Sequence, residues 1–128
     1  MTVEPPTGWD EADRRTYTPA DSDRPKEYVT FVHESGDLRV RIAPASIDGD
    51  EYPGYAATVT TYPGLEFSES ARIGRAYRYE RCSEIAERFM ELFSASYEGP
   101  GDFEDALEYA AKRVRAPEVI DALFEVDR

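Results

Sequence analysis

The chain has 128 residues, 41% hydrophobic and 33% charged, with 27 Asp and Glu against 15 Lys and Arg and a formal net charge of −12. That length suits one domain, which buries roughly two-thirds of its unfolded surface without a disulfide or metal staple. The apolar content argues against a wholly disordered chain, and the acidity against broad nonspecific adhesion to nucleic acid or anionic membrane.

Residues 1–26 read as a flexible or extended arm, and 27–128 as a single α+β domain. The arm holds Pro5, Pro6, Pro19 and Pro25 and no sustained apolar period. Trp9 and Tyr17 are the two residues able to pin it onto the domain. Tyr28 to His33 is β-rich in residue type, and Ser35-Gly36 supplies a turn. Leu38 to Ile42 alternates strictly, so Leu38, Val40 and Ile42 face the core while Arg39 and Arg41 face away. A loop from Pro44 to Gly54 follows, then a strand over Tyr55 to Tyr62 with Tyr55, Ala57 and Val59 on one face. After the Pro63-Gly64 turn, Leu65 to Phe67 resumes alternation. Ser70 to Tyr79 is ambiguous between strand and loop: Gly74 weakens a helix, and Ala76, Tyr77 and Tyr79 suit a short strand.

The last third is helical. Cys82, Ile85, Ala86, Phe89, Met90 and Phe93 keep helical spacing, with Ser83 or a neighbour as the cap. Gly99-Pro100-Gly101 breaks that helix, and Asp102 opens a second one along Phe103, Ala106, Leu107, Ala110, Ala111 and Val114. A short C-terminal helix carries Ile120, Leu123 and Phe124. Strands first and helices afterwards predict an antiparallel sheet of four or five strands, with two long helices and one short one mainly on one face.

Only two of the basic residues are lysines, Lys26 and Lys112. A dense carboxylate surface repels itself in dilute salt, and at molar salt the Debye length falls to about 3 Å, which removes most of that repulsion. The composition resembles that of proteins from salt-accumulating cytoplasms; the competing reading is an ordinary acidic protein with a basic partner. The lone Cys82 fits a reducing cytoplasm. The opening Met1-Thr2-Val3-Glu4-Pro5-Pro6 has neither a basic start nor an apolar stretch, so no leader is expected, and no run has the length of a membrane span.

The local charge anomaly is Arg72-Ile73-Gly74-Arg75-Ala76-Tyr77-Arg78-Tyr79-Glu80-Arg81, which carries four Arg and one Glu inside an acidic chain. Arginine grips phosphate with two donors and tyrosine stacks on bases, so interleaving the two suits nucleic acid or a nucleotide. Arg39 and Arg41, on the polar face of a strand, are candidates to join Arg72, Arg75, Tyr77, Arg78, Tyr79 and Arg81. Pairing of these arginines with surface carboxylates is the bland alternative. Nothing else suggests chemistry. His33, the single histidine, reads as a strand surface residue, and Cys82 as a buried structural thiol. Asp48, Asp50 and Glu51 lack the spacing of a calcium loop. The carboxylates of the helices suit a solvated outer face. No catalytic residue, metal or cofactor is expected.

Gly54-Tyr55-Ala56-Ala57-Thr58-Val59 followed by Pro63-Gly64 resembles the strand-and-turn segment of HicB-type antitoxins, small sheet-and-helix proteins that bind a toxin. Thr60 and Thr61 stand where that pattern has a proline before the turn, and the Arg/Tyr stretch stands where it has a threonine-led helix, so no assignment is made. The leading expectation is a non-enzymatic accessory or protein-interaction domain of a halophilic cytoplasm, binding a protein partner or a second copy of itself. Nucleic-acid or nucleotide binding through residues 72–81 is the alternative, and no membrane partner is expected.

Overall fold

The computed structural model describes residues 5–18, 25–46 and 53–114. Five antiparallel strands are paired in chain order: β1 (Trp9–Tyr17), β2 (Lys26–His33), β3 (Leu38–Ser46), β4 (Pro53–Thr61) and β5 (Glu69–Ala76). Two helices follow, α1 (Tyr79–Ser96) and α2 (Phe103–Arg113), with a 3-10 turn over Pro100–Asp102 between them. The class is therefore α+β. The expected third helix and the loop carboxylates Asp48, Asp50 and Glu51 lie outside the described residues. No helix among the described residues is long and apolar enough to cross a membrane.

Alternation builds the core. Val29, Phe31, Leu38, Val40, Ile42, Ala57 and Val59 are buried on one sheet face. There they meet Cys82, Ala86, Phe89, Met90 and Phe93, which share one side of α1 at helical spacing. α1 packs over β3, β4 and β5, and α2 packs on α1 through Phe103, Ala106, Leu107, Ala110 and Ala111. Gly74 marks the closest approach of helix to sheet: a Cβ there would lie 2.8 Å from Cγ2 of Ile85. The residue that argues against a helix at this position is thus the one that lets α1 settle on β5.

Residues 9–17, expected within an arm, form a full strand. β1 pairs with β2 from Trp9↔His33 to Tyr17↔Lys26. Trp9 is 3% exposed, its indole Nε1 donates to Ser94 Oγ at 2.9 Å, and that hydroxyl donates to the Thr7 carbonyl at 2.9 Å. Tryptophan, not an apolar repeat, docks this strand. Leu65 to Phe67 departs from expectation the other way. It is a turn closed by Leu65 N–H to Tyr62 O and Ser68 N–H to Leu65 O, and Leu65 and Phe67 are exposed. The two edge strands each carry a bulge, with Ala12 the extra residue in β1 and Ile73 in β5. Bulges and edge charges blunt a sheet edge against strand addition, which moves attention from the edges to the face that the helices leave open.

α1 begins at Tyr79, earlier than the apolar spacing indicates. Arg78 occupies its N-cap position with no side-chain cap, so Ser83 has no capping role. Asp102 precedes α2 as expected, although its carboxylate makes no capping hydrogen bond.

Candidate functional site

The open face is assembled by strand register. Arg39 and Arg41 point away from the core on β3, as alternation requires. Arg41 stands opposite Thr58 of β4, and Thr58 stands opposite Arg72 of β5. The next row runs from Arg39 through Thr60 to Ser70, where the two hydroxyls are 2.7 Å apart. Arg72 reaches this face by alternation with buried Ala71, and the β5 bulge at Ile73 then brings Arg75 opposite Ala56. On this face the described residues of β3, β4 and β5 include Arg39, Arg41, Arg72 and Arg75 and no carboxylate.

Tyr28 of β2 continues the surface. The guanidinium carbon of Arg15 lies 5.9 Å from its ring centroid and that of Arg41 lies 5.8 Å away, both within cation–π range. Arg15 also pairs with Asp13 at 3.1 Å on the β1 side. A shallow trough of about 430 Å³ follows the face between Tyr28, Arg39, Arg41, Ala56, Thr58 and Thr60. Small side chains leave the space, and cations flank it.

Arg75 lies opposite Ala56 at the end of this face and also borders a second groove that takes Arg81. The other candidates do not gather there. Tyr77 is exposed in the turn between β5 and α1, and Arg78 is exposed beside it. Tyr79 is half-buried, edge-to-face on Tyr55 at 5.4 Å, and accepts a hydrogen bond from Arg14 at 3.4 Å. Burial raises its phenol pKa, with Arg14 opposing the shift. Tyr79 is thus engaged in packing on Tyr55 and in holding Arg14. Arg81 pairs with Glu84 at 3.1 Å. Sequence reasoning missed Arg15 and Tyr28 on the face. The signal for Tyr28 was present, because in β2 it alternates with Val29 and Phe31.

His33 is buried, contrary to the expectation of a surface residue. Its ring lies 5.1 Å from Trp9, 4.9 Å from Phe93 and 4.8 Å from Tyr97. The Ser35 backbone N–H donates to Nδ1 at 3.1 Å, which assigns the ring proton to Nε2. Burial lowers the imidazole pKa from its ordinary 6.5, against the opposing pull of Glu34 and Asp37. Below about pH 6.5 the unfolded chain takes up a proton that folded His33 refuses. Its stabilising contribution is therefore full above that pH and is lost as pH falls towards the lower folded value. Urea midpoints of wild type and His33→Gln at about pH 7.5 and about pH 5.5 check this. Wild type is expected to lose more stability on acidification than the variant, and equal losses would contradict the reading.

Cys82 is fully buried, and desolvation pushes its thiol up to about 11, so it stays a protonated core residue. Comparison of the chain with protein-family models, with curated proteins and with solved structures found no match.

Proposed function

We propose that the chain is a non-enzymatic interaction domain of a salt-accumulating cytoplasm that takes an acidic protein partner on the open face of its sheet. The observation that carries this reading is the cross-strand row Arg41–Thr58–Arg72, with Arg39 beside it and no neighbouring carboxylate among the described residues of β3 to β5. In a chain of charge −12, arginines grouped on strands whose described residues bring no carboxylate to this face favour an anionic surface brought from outside. The carboxylate-rich exterior of a second copy has the required charge, so self-association belongs to the same reading. Burial of both His33 and Cys82 withdraws the only imidazole and the only thiol from solvent, which supports binding over catalysis.

Single-stranded nucleic acid is the second reading, favoured by Tyr28 between Arg15 and Arg41. A tyrosine face among guanidinium groups suits base stacking beside phosphate contacts. Titration of the wild-type chain with a polyglutamate peptide and with single-stranded RNA, at the lowest salt that keeps it folded, separates the two. Saturable binding of the peptide with weak binding of RNA supports the acidic protein partner. The reverse supports nucleic acid, and binding of neither removes the open face from consideration.

The halophilic part of the proposal has its own test. Raising potassium chloride from millimolar to molar is expected to lift the thermal midpoint by about 10 °C, which at about 4 °C per kcal/mol is roughly 2–3 kcal/mol of relieved repulsion. A midpoint unchanged across that range would remove the salt-adapted reading.

A further inference from the structure

Of the three large hydrophobic side chains exposed among the described residues, two, Leu65 and Phe67, lie in the turn between β4 and β5. Single exposed apolar residues are ordinary, but two in one turn form a patch. The turn is held in shape. Tyr62 takes a left-handed backbone, with φ 51°, that costs a non-glycine residue energy. Its N–H donates to the Asp37 carbonyl at 2.8 Å, and its ring meets Phe67 at 5.2 Å and Phe103 at 5.3 Å. Phe67 therefore sits on a fixed support, which lowers the ordering cost of docking it. Carboxylates surround the patch. Glu66 lies between Leu65 and Phe67 in the chain, and Glu69 and Glu104 line the hollow beside Phe67, with no base among its described lining residues.

The open sheet face is the counterpart in both respects. Arg39, Arg41 and Arg72 supply cations there, with no carboxylate on that face among the described residues of β3 to β5. Ala43, Pro44, Ala45 and Ala56 give its trough of about 430 Å³ an apolar end with small side chains. The two surfaces of one chain do not meet. Phe67 packs on Tyr62, which packs on Phe103 of α2 on the helix side of the sheet, whereas the trough lies on the other side.

We propose, on the reading that the open face takes an acidic protein partner, that this partner is a second copy of the chain: the turn holding Leu65 and Phe67 docks into the open-face trough of the next copy. The apolar side chains of the turn cover the alanine end of the trough, and Glu66 meets its arginines. Complementarity selects this occupant, because the patch with exposed apolar groups is the one ringed by carboxylates, and the face with the cations is the one with the apolar hollow. The two surfaces differ, so each contact leaves a turn exposed at one end and a face at the other, and association continues beyond the dimer. A charge of −12 on each copy opposes association in dilute salt. In molar salt the Debye length of about 3 Å removes the long-range repulsion and leaves the pairs in contact.

Sedimentation of the full chain in molar potassium chloride, over rising concentration, tests the proposal. Wild type is expected to form species larger than a dimer. Phe67→Ser removes the exposed ring, and Arg41→Ser combined with Arg72→Ser strips the face; each is expected to weaken self-association about tenfold or more. An equimolar mixture of the turn variant and the face variant is expected to associate as a dimer and stop there, because each retains the surface that the other has lost. Leu65→Ser leaves the contact of Phe67 with Tyr62 in place and is expected to weaken association in the same direction, and thermal melts check that the variants stay folded. A mixture that remains monomeric while wild type associates would overturn the pairing of turn with face. A wild type that remains monomeric throughout would overturn self-association. If that monomer binds polyglutamate, an acidic protein other than this chain occupies the open face; if it binds single-stranded RNA instead, nucleic acid does; if it binds neither, the reading of the open face fails as well.

Discussion

Replacement of Trp9 by alanine is expected to cost about 3–5 kcal/mol, the range for deleting a large buried aromatic side chain. Three losses combine. The indole is 3% exposed, so its removal leaves a cavity against Phe93 and His33, whose ring centroids lie 6.0 Å and 5.1 Å away. Ser94 loses the donor at 2.9 Å that joins the first strand to the end of α1. His33, already held neutral by burial, then gains access to water and loses part of the environment that lowers its pKa. Urea denaturation with the slope compared between variants measures the loss. A cost under about 1 kcal/mol would mean that β1 is a dispensable addition to the sheet. Trp9→Phe retains the packing but not the donor, and is expected to lose only about 1–2 kcal/mol.

What could be read from the chain followed from periodicity. Leu38 to Ile42 declares its strand because apolar and charged residues alternate without a break, and α1 declares itself because Cys82, Ala86, Phe89 and Phe93 recur at helical spacing. β1 could not be read in that way. As an edge strand it buries little, its alternation is broken at Ala12, and one tryptophan does the docking that several aliphatic residues do elsewhere. Polarity misled at His33. Its position continues the inward series Val29, Phe31, His33, and that parity outweighs the preference of histidine for the surface. Leu65 and Phe67 misled in the opposite sense, since apolar type suggested a strand where a turn leaves both exposed.

The candidate site divides along the same line. Outward placement of Arg39 and Arg41 follows from the alternation of one strand. Their meeting with Arg72 needs the register of β4 and β5 beside β3, which leaves no mark in local sequence. The groove is similar. Arg81 and Arg88 are visibly on one helical face, but Arg113 joins them only through packing of α2 on α1. A strand, a turn and a helix divide residues 72–81 among different surfaces, which charge density along the sequence does not reveal.

The larger effect on binding is expected from Arg41→Ser combined with Arg72→Ser. The two arginines flank Thr58 on the open face, so their joint removal empties the row while leaving the buried face of the sheet untouched. Arg41 also covers Tyr28, and its loss weakens any contact that the ring supports. A hydrogen bond to a charged group contributes about 1.5–3 kcal/mol, so loss of one such bond at each arginine is expected to weaken an anionic partner by roughly 100-fold or more. If the partner is a single-stranded nucleic acid, the slope of log affinity against log salt should also fall by about 0.7 for each lost phosphate contact. Arg78→Ser, an exposed arginine beyond this face, is the matched control for lost charge. The most direct test of the open face is therefore a side-by-side titration of wild type, the double variant and Arg78→Ser with polyglutamate and single-stranded RNA. The predicted result is binding of one of the two by wild type and Arg78→Ser, with the double variant weaker by about 100-fold; equal affinity in all three, or no binding by wild type, would contradict it.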